Sequence, residues 1–296
     1  MVMKKGLILV NAYTEMPSLL KPSLRLQEEF IKLGVQVDVK KNNFFPTIIS
    51  QNGDIKSDLD YDFVVYLDKD KYVSQCFEKL GIPVFNSHNS IQICDDKMTT
   101  HIVLANNGIP MPKTIPGLLC YPIDSNKNVS NDSLDVIEKE LGYPMIVKLN
   151  SSSLGMNVYI VKNRKELEDI SKKVKNVPHM YQQYISKNPG VDIRAIVINN
   201  KVVASMKRIN RFDFKANIEC GGISEPYTLS EKNKKMCEKA SKILGLDYCG
   251  IDLLEDDNGL VVNEVNSNAF FMGIEKTCDI NIGKLYAEHI CSKVYN

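Results

Sequence analysis

The eight cysteines of this sequence include no Cys-x-x-Cys pair, which leaves zinc ribbons and dithiol redox motifs without support. They read as reduced thiols in the core or at the surface. Only four histidines are present, none near another at ligand spacing, so histidine catalysis has no visible support. After the first apolar run stands Asn11-Ala12-Tyr13-Thr14 rather than GxGxxG, and a nicotinamide-dependent dehydrogenase loses its fingerprint. Charge of one sign is also lacking: the formal net charge is +1, 25% of residues are charged, and no long basic run occurs. Nucleic acid and anionic membrane are thereby disfavoured as main partners, and a small-molecule or protein substrate fits better. No apolar run reaches the length of a membrane span, and residues 1–13 are strand-like without a cleavage pattern, so the expected location is the cytoplasm.

What is there is an ordered alternation. A chain of 296 residues is long for one domain and predicts two or three packed subdomains. In residues 1–94, the strand 6–11, a helix carrying Leu26, Phe30 and Leu33, and strands 35–39, 63–67 and 82–85 predict a small α/β layer on a parallel sheet. The polar stretch 44–60 reads as a long connection. Residues 95–185 form a second, α+β unit: a helix opened by Asp95-Asp96-Lys97, a break at Gly108-Ile109-Pro110-Met111-Pro112, and strands 145–149, 158–161 and 180–185 around two helices. This unit is compact enough to move as a lid. Residues 186–296 turn antiparallel, with a hairpin through Asn199-Asn200, a helix capped by Ser230, a second hairpin and a last helix 281–294 in which His289 is expected at a surface or interface.

That second hairpin, residues 248–268, carries the chemistry. Two runs rich in Ile, Leu and Val flank Asp256-Asp257-Asn258-Gly259; Glu264 and Asn266 share a face, and Asp252 falls within about one residue of opposite Glu264. Oxygen donors without His or Cys suit a hard ion such as Mg²⁺, whose shell phosphates and water complete. The same spacing also describes an exposed acidic hairpin. Two further features point to phosphate: Lys148, before the small-residue loop Asn150-Ser151-Ser152-Ser153-Leu154-Gly155, and the basic strand end Lys207, Arg208 and Arg211. Each alone is also ordinary solvated charge, and the loop has a single glycine.

In order, Asp96-Lys97 with Gly108-Ile109-Pro110, Lys148 with its loop, Asp192-Ile193-Arg194, Asp213-Phe214-Lys215-Ala216-Asn217 and Gly250-Ile251-Asp252 to Glu264-Val265-Asn266 resemble the ATP-grasp fold, in particular the RimK-type amino-acid (α-L-glutamate) ligases, over roughly residues 90–285. The resemblance implies an ATP-grasp fold of α/β class with α+β subdomains, preceded by a Rossmann-like domain. It implies Asp252, Glu264 and Asn266 as ligands of Mg²⁺, with Mn²⁺ as the alternative ion. Lys97 and Lys148 would contact ATP phosphates, Gln183 and Tyr184 the adenine, Asp192 the ribose, and Lys215 and Asn217 further parts of the nucleotide. Arg208 would stabilise the transferred phosphoryl group, and Arg194 and Arg211 would anchor a substrate carboxylate.

The activity implied is an ATP-dependent carboxylate-amine ligase that makes an amide through an acyl phosphate and releases ADP and phosphate. Its partners would be ATP, a carboxylate and an amine or amino acid, with self-association common in the family. The alternative is a non-catalytic ATP-binding regulatory module. Three departures bear on this: the serine-rich phosphate loop, Gln183 in place of an acidic hinge residue, and Ser267-Asn268-Ala269-Phe270-Phe271 without a Pro-Gly turn. That last stretch borders the acceptor site, and the exposed apolar residues expected near Phe270-Phe271 would serve an interface or a substrate pocket.

Overall fold

A computed structural model describes residues 4–295 apart from 16, 125, 154, 215 and 217–221. Three main sheets follow one another along the chain. The first has strands Lys5–Val10, Gln36–Lys41, Phe63–Leu67 and Val84–Phe85, all parallel, with Lys5–Val10 and Phe63–Leu67 in the centre. Their continuous apolar character reflects burial on both faces. Leu7, Leu9, Val64 and Tyr66 pack with Phe77 and Ile91 on one side, while Ile8, Phe63 and Val65 meet Leu26 and Phe30 on the other. The stretch 44–60 contains a small hairpin, Ile48–Ile49 against Ile55–Lys56.

The second sheet is antiparallel, with strands Thr114–Pro116, His179–Gln183, Met145–Leu149 and Val158–Val161 in that spatial order. Helices Asn131–Leu141 and Arg164–Val174 supply Leu134, Ile137, Leu167 and Val174 to its core. The third sheet has five antiparallel strands in the order Ile223–Pro226, Lys201–Ile209, Val191–Ile198, Tyr248–Asp256, Gly259–Asn266. One face buries Ile193, Ala195, Val197, Ile251 and Leu253 under helix Glu231–Ile243. Leu104, at the end of helix Lys97–Leu104, and Ile109 beyond it join that core, although the sequence division groups them with the central unit.

The other face of this sheet changes character along its strands. At one end Ile196, Ile198, Ala204, Met206 and Tyr248 pack against the N-terminal layer and the last helix, Ile282–Val294. Two residues further along each strand, on the same face, stand Arg194, Arg208 and Gly250, followed by Asp192 and Asp252. Gly250 marks the transition: a Cβ there would lie 2.5 Å from that of Ala269, so only glycine lets the 267–271 segment cross so closely.

Two expectations are corrected here. His289 is 7% exposed and its Nε2 lies 2.7 Å from Asp247 Oδ1, because the last helix presents Tyr286, His289 and Ile290 inward rather than to solvent. Phe271 is buried at 3% exposure, its ring edge-on to Tyr248 at 6.4 Å between centroids, and helix Met272–Cys278, not foreseen from the sequence, begins just after it.

Candidate active site

The three sheets enclose a cleft of about 410 Å³, within the range of small-molecule sites. Its floor is the charged half of the third sheet. Cross-strand pairing sets Asp192 beside Arg208 and Arg194 beside Asp252, so opposite charges meet across the ladder. Arg208 donates from Nε and Nη2 to the two oxygens of Asp192, both at 2.6 Å, and Arg194 binds Asp252 in the same forked way, both at 2.7 Å. Arg208 Nη2 also lies 3.1 Å from Asp252 Oδ2, which joins the two pairs. Burial alone would raise the Asp252 pKa, but Arg194 and Arg208 outweigh it and hold the carboxyl below the usual carboxylate range.

Asp252 pairs directly with Glu264 through a β-bulge. A regular ladder counted from Asp256 opposite Gly259 would put Asn263 there; the bulge makes Asn263 the extra residue and moves Glu264 opposite Asp252. Asn263 is thus freed to accept a bond from Lys148 Nζ at 3.3 Å, and its carbonyl faces His101 Nε2 at 3.2 Å. Lys148 is 4% exposed. Burial pushes its pKa down to about 8, with Glu264 opposing and Lys97 assisting that shift. Burial, with Lys148 next, also takes His101 down to about 4, so its imidazole is neutral at pH 7.

Lys97 opens its helix behind the N-cap Asp96, whose side chain accepts from Thr99 N. Its ammonium donates to Ser152 O at 2.6 Å and stands 3.5 Å from Glu264 Oε1, tying the serine-rich loop to the acidic hairpin. From the N-terminal layer, Lys69 Nζ reaches Ser153 Oγ at 3.1 Å and Asp95 at 3.4 Å. Opposite, Gln183 ends its strand with its N–H bound to Lys113 O at 2.8 Å, and Tyr184 follows along the cleft wall.

The structure therefore brings Lys97, Lys148, Gln183, Tyr184, Asp192, Arg194, Arg208, Asp252, Glu264 and Asn266 to one cleft. Arg211 is exposed and does not line it; Lys215 and Asn217 lie outside the described residues. Asp192 holds the fork of Arg208 and Asp252 holds that of Arg194, so these groups are engaged rather than open to a ribose, a carboxylate or a phosphoryl group. Sequence reasoning missed Asn263, Gln182, Asn11, Asp68 and Lys69, all on the cleft wall. For Asn263 a signal existed in the core residues Val262 and Val265, three apart where alternation demands an even step.

For a divalent ion, the described residues contain no cluster of three His, Cys, Asp or Glu. Two carboxylates and the Asn266 amide remain, a donor set matching an ion that draws only one or two carboxylates from protein and the rest from phosphate and water. Asp252 Oδ1 accepts one guanidinium bond and keeps a lone pair; Oδ2 accepts two. The residues fit Mg²⁺ with Glu264 and Asn266 as the open donors.

Residues 94–290 match the RimK-like ATP-grasp domain. The chain belongs to this family. It is 32% identical over 267 residues to human N-acetylaspartylglutamate synthase A, covering 89% of this chain and 64% of that one. To human beta-citrylglutamate synthase B it is 32% identical over 231 residues, covering 77% and 58%. The RimK-like chain thus spans less than two thirds of either relative's length. Its fold is shared with the D-alanine–D-alanine ligase of Bacillus anthracis, solved with ATP, at a TM-score of 0.75 and 21% identity, covering 99% of this chain and 98% of that one.

Proposed function

We propose that this RimK-like protein is an ATP-dependent carboxylate-amine ligase that joins glutamate to a second small molecule or peptide. The observation that carries this reading is the cleft itself. A buried lysine, Lys148, with no carboxylate of the described residues in contact, faces the Asp252–Glu264 hairpin, an arrangement that suits a polyphosphate bridging lysine and metal. Glutamate is favoured because both human relatives are named for syntheses of glutamate compounds.

In this reading a substrate carboxylate oxygen attacks the γ-phosphorus of ATP, the bond to the β-phosphate oxygen breaks, and ADP leaves. The amine then attacks the acyl carbon, phosphate departs and the amine's proton is lost. Mg²⁺, held by Glu264, Asn266 and Asp252, would neutralise phosphate charge. The chain's own part is positioning and charge: Lys97 and Lys148 face the phosphates, and the Arg208–Asp192 and Arg194–Asp252 pairs keep two guanidiniums fixed in a dry floor. The loop joined to Lys97 and Lys69 shields the acyl phosphate from water.

The test is phosphorus NMR of the protein with Mg²⁺-ATP, L-glutamate and a panel of carboxylates and peptides, with hydroxylamine added to trap an acyl phosphate. ADP, phosphate and a hydroxamate are expected. AMP with pyrophosphate would overturn the mechanism in favour of adenylation, and saturable ATP binding without any turnover would favour a regulatory module.

A further inference from the structure

The charges that line the cleft do not all find partners within it. On the floor each arginine has its aspartate, Lys97 has Glu264, and Lys69 has Asp95. Among the described residues that line the cleft, two charges are left over. One is Lys148, which the nucleotide reading absorbs. The other is Asp68, 8% exposed, on the N-terminal wall.

Its contacts are all neutral. Oδ1 accepts from the Lys69 backbone N–H at 2.7 Å, Oδ2 from Asn42 Nδ2 at 3.0 Å, and Asn11 Nδ2 is shared between both oxygens at 3.3 and 3.2 Å. No cationic nitrogen of the described residues is paired with it, since the Lys69 ammonium turns to Asp95 and Ser153. Burial pushes its pKa up, and Asp70 adds to the shift while the neutral donors oppose it. A buried carboxylate without a counter-charge is costly, and a cation from outside would relieve that cost.

Position says which kind of group can arrive. Asn11, Asn42 and Asp68 are the residues directly following the strands Lys5–Val10, Gln36–Lys41 and Phe63–Leu67, that is, they stand at the carboxyl ends of neighbouring parallel strands. In open parallel sheets this edge is where ligands lie. Here Asn11 and Asp68 line the same cleft as the charged floor.

We propose that Asp68 receives the ammonium group of an amino-acid substrate, with Asn11 and Asn42 fixing the carboxylate toward the cleft. The assignment rests on the ligase reading only for its substrate class. Asp68 is then a specificity residue: it selects a free amine over an acylated one, since acylation removes the positive charge and leaves a single N–H of the ammonium's three donors.

Calorimetric titration of the protein, with and without Mg²⁺ and AMPPNP, against each proteinogenic L-amino acid and its N-acetyl form tests this. The wild type is expected to bind at least one amino acid about tenfold or more tighter than its N-acetyl form, and Asp68→Asn to lose that preference while keeping AMPPNP affinity. Equal binding of acetylated and free forms, or no binding of any amino acid, overturns the proposal without needing a variant. So does an Asp68→Asn protein that keeps the preference, or one that loses AMPPNP affinity equally, which would make Asp68 a loop anchor. Nucleotide products are read on the wild type alone, so amino-acid binding without ADP sinks the ligase reading and leaves Asp68 standing. ADP release with Asp68→Asn unaffected does the reverse.

Discussion

The N-terminal and C-terminal sheets use their faces differently. The central strands of the N-terminal sheet bury apolar residues on both sides, and Asn11, Asn42 and Asp68 stand just beyond the strand ends. The C-terminal sheet buries one face fully and the second only at one end, leaving charge within the ladder at Asp192, Arg194, Arg208 and Asp252. A substitution in the middle of either central N-terminal strand therefore touches stability alone. In the C-terminal sheet the same depth of burial holds the floor of the site, where stability and chemistry share residues.

The sharpest way to break this contrast is Phe63→Ala. Phe63 is 1% exposed between Phe30 and Phe85. Its loss is expected to cost about 3–5 kcal/mol of folding free energy by denaturant unfolding while ATP affinity per folded molecule stays unchanged. A marked fall in affinity would mean that the N-terminal core is coupled to the cleft.

Next in size is Lys148→Met, which should raise stability. The folded-state pKa of about 8 lies below the ordinary 10.5, so the burial penalty is fully present below pH 8 and fades as pH rises toward 10.5. The variant is expected to gain up to about 3 kcal/mol at pH 7, a gain that vanishes by about pH 10.5, and to bind ATP more weakly throughout. Thermal melts across that pH range check the sign; a gain independent of pH would remove Lys148's charge from the account.

Glu264→Gln should lower turnover about a hundredfold, about 2.7 kcal/mol, with the melting temperature nearly unchanged, because its side chain is 24% exposed and faces the cleft rather than the core. Steady-state kinetics beside a melt separates the two. The smallest effect belongs to Ser153→Ala, which removes the bond from Lys69: below about 1 kcal/mol in stability, read by unfolding, with a modest rise in KM for ATP.

The apolar runs at 6–11, 63–67 and 145–149 were legible as strands because burial on both faces or strict pairing leaves little else for them to be. Asp252 and Glu264 were legible as neighbours because their hairpin is local. The engagement of Arg208 by Asp192, and of Arg194 by Asp252, was not, since it depends on the register of strands that are distant in sequence. His289 was misplaced for a related reason: its partner Asp247 sits on another element, and a histidine at the edge of an apolar stripe carries no local mark of burial. Asp68 gave no signal at all as one polar residue after a strand, and it becomes distinctive only when Asn11 and Asn42 converge on it.

The bulge at Asn263 has a further consequence. Pairings on either side of it are already in phase, Asp252 with Glu264 and Leu253 with Val262, and Asn263 itself fills no position in the ladder. Removing that one residue would leave Val262 and Val265 in the core and Glu264 at the cleft, while taking away the acceptor that holds Lys148. A lineage could thus tighten or slacken the hold on the Lys148 ammonium through a single codon gained or lost, with the rest of the hairpin inherited intact.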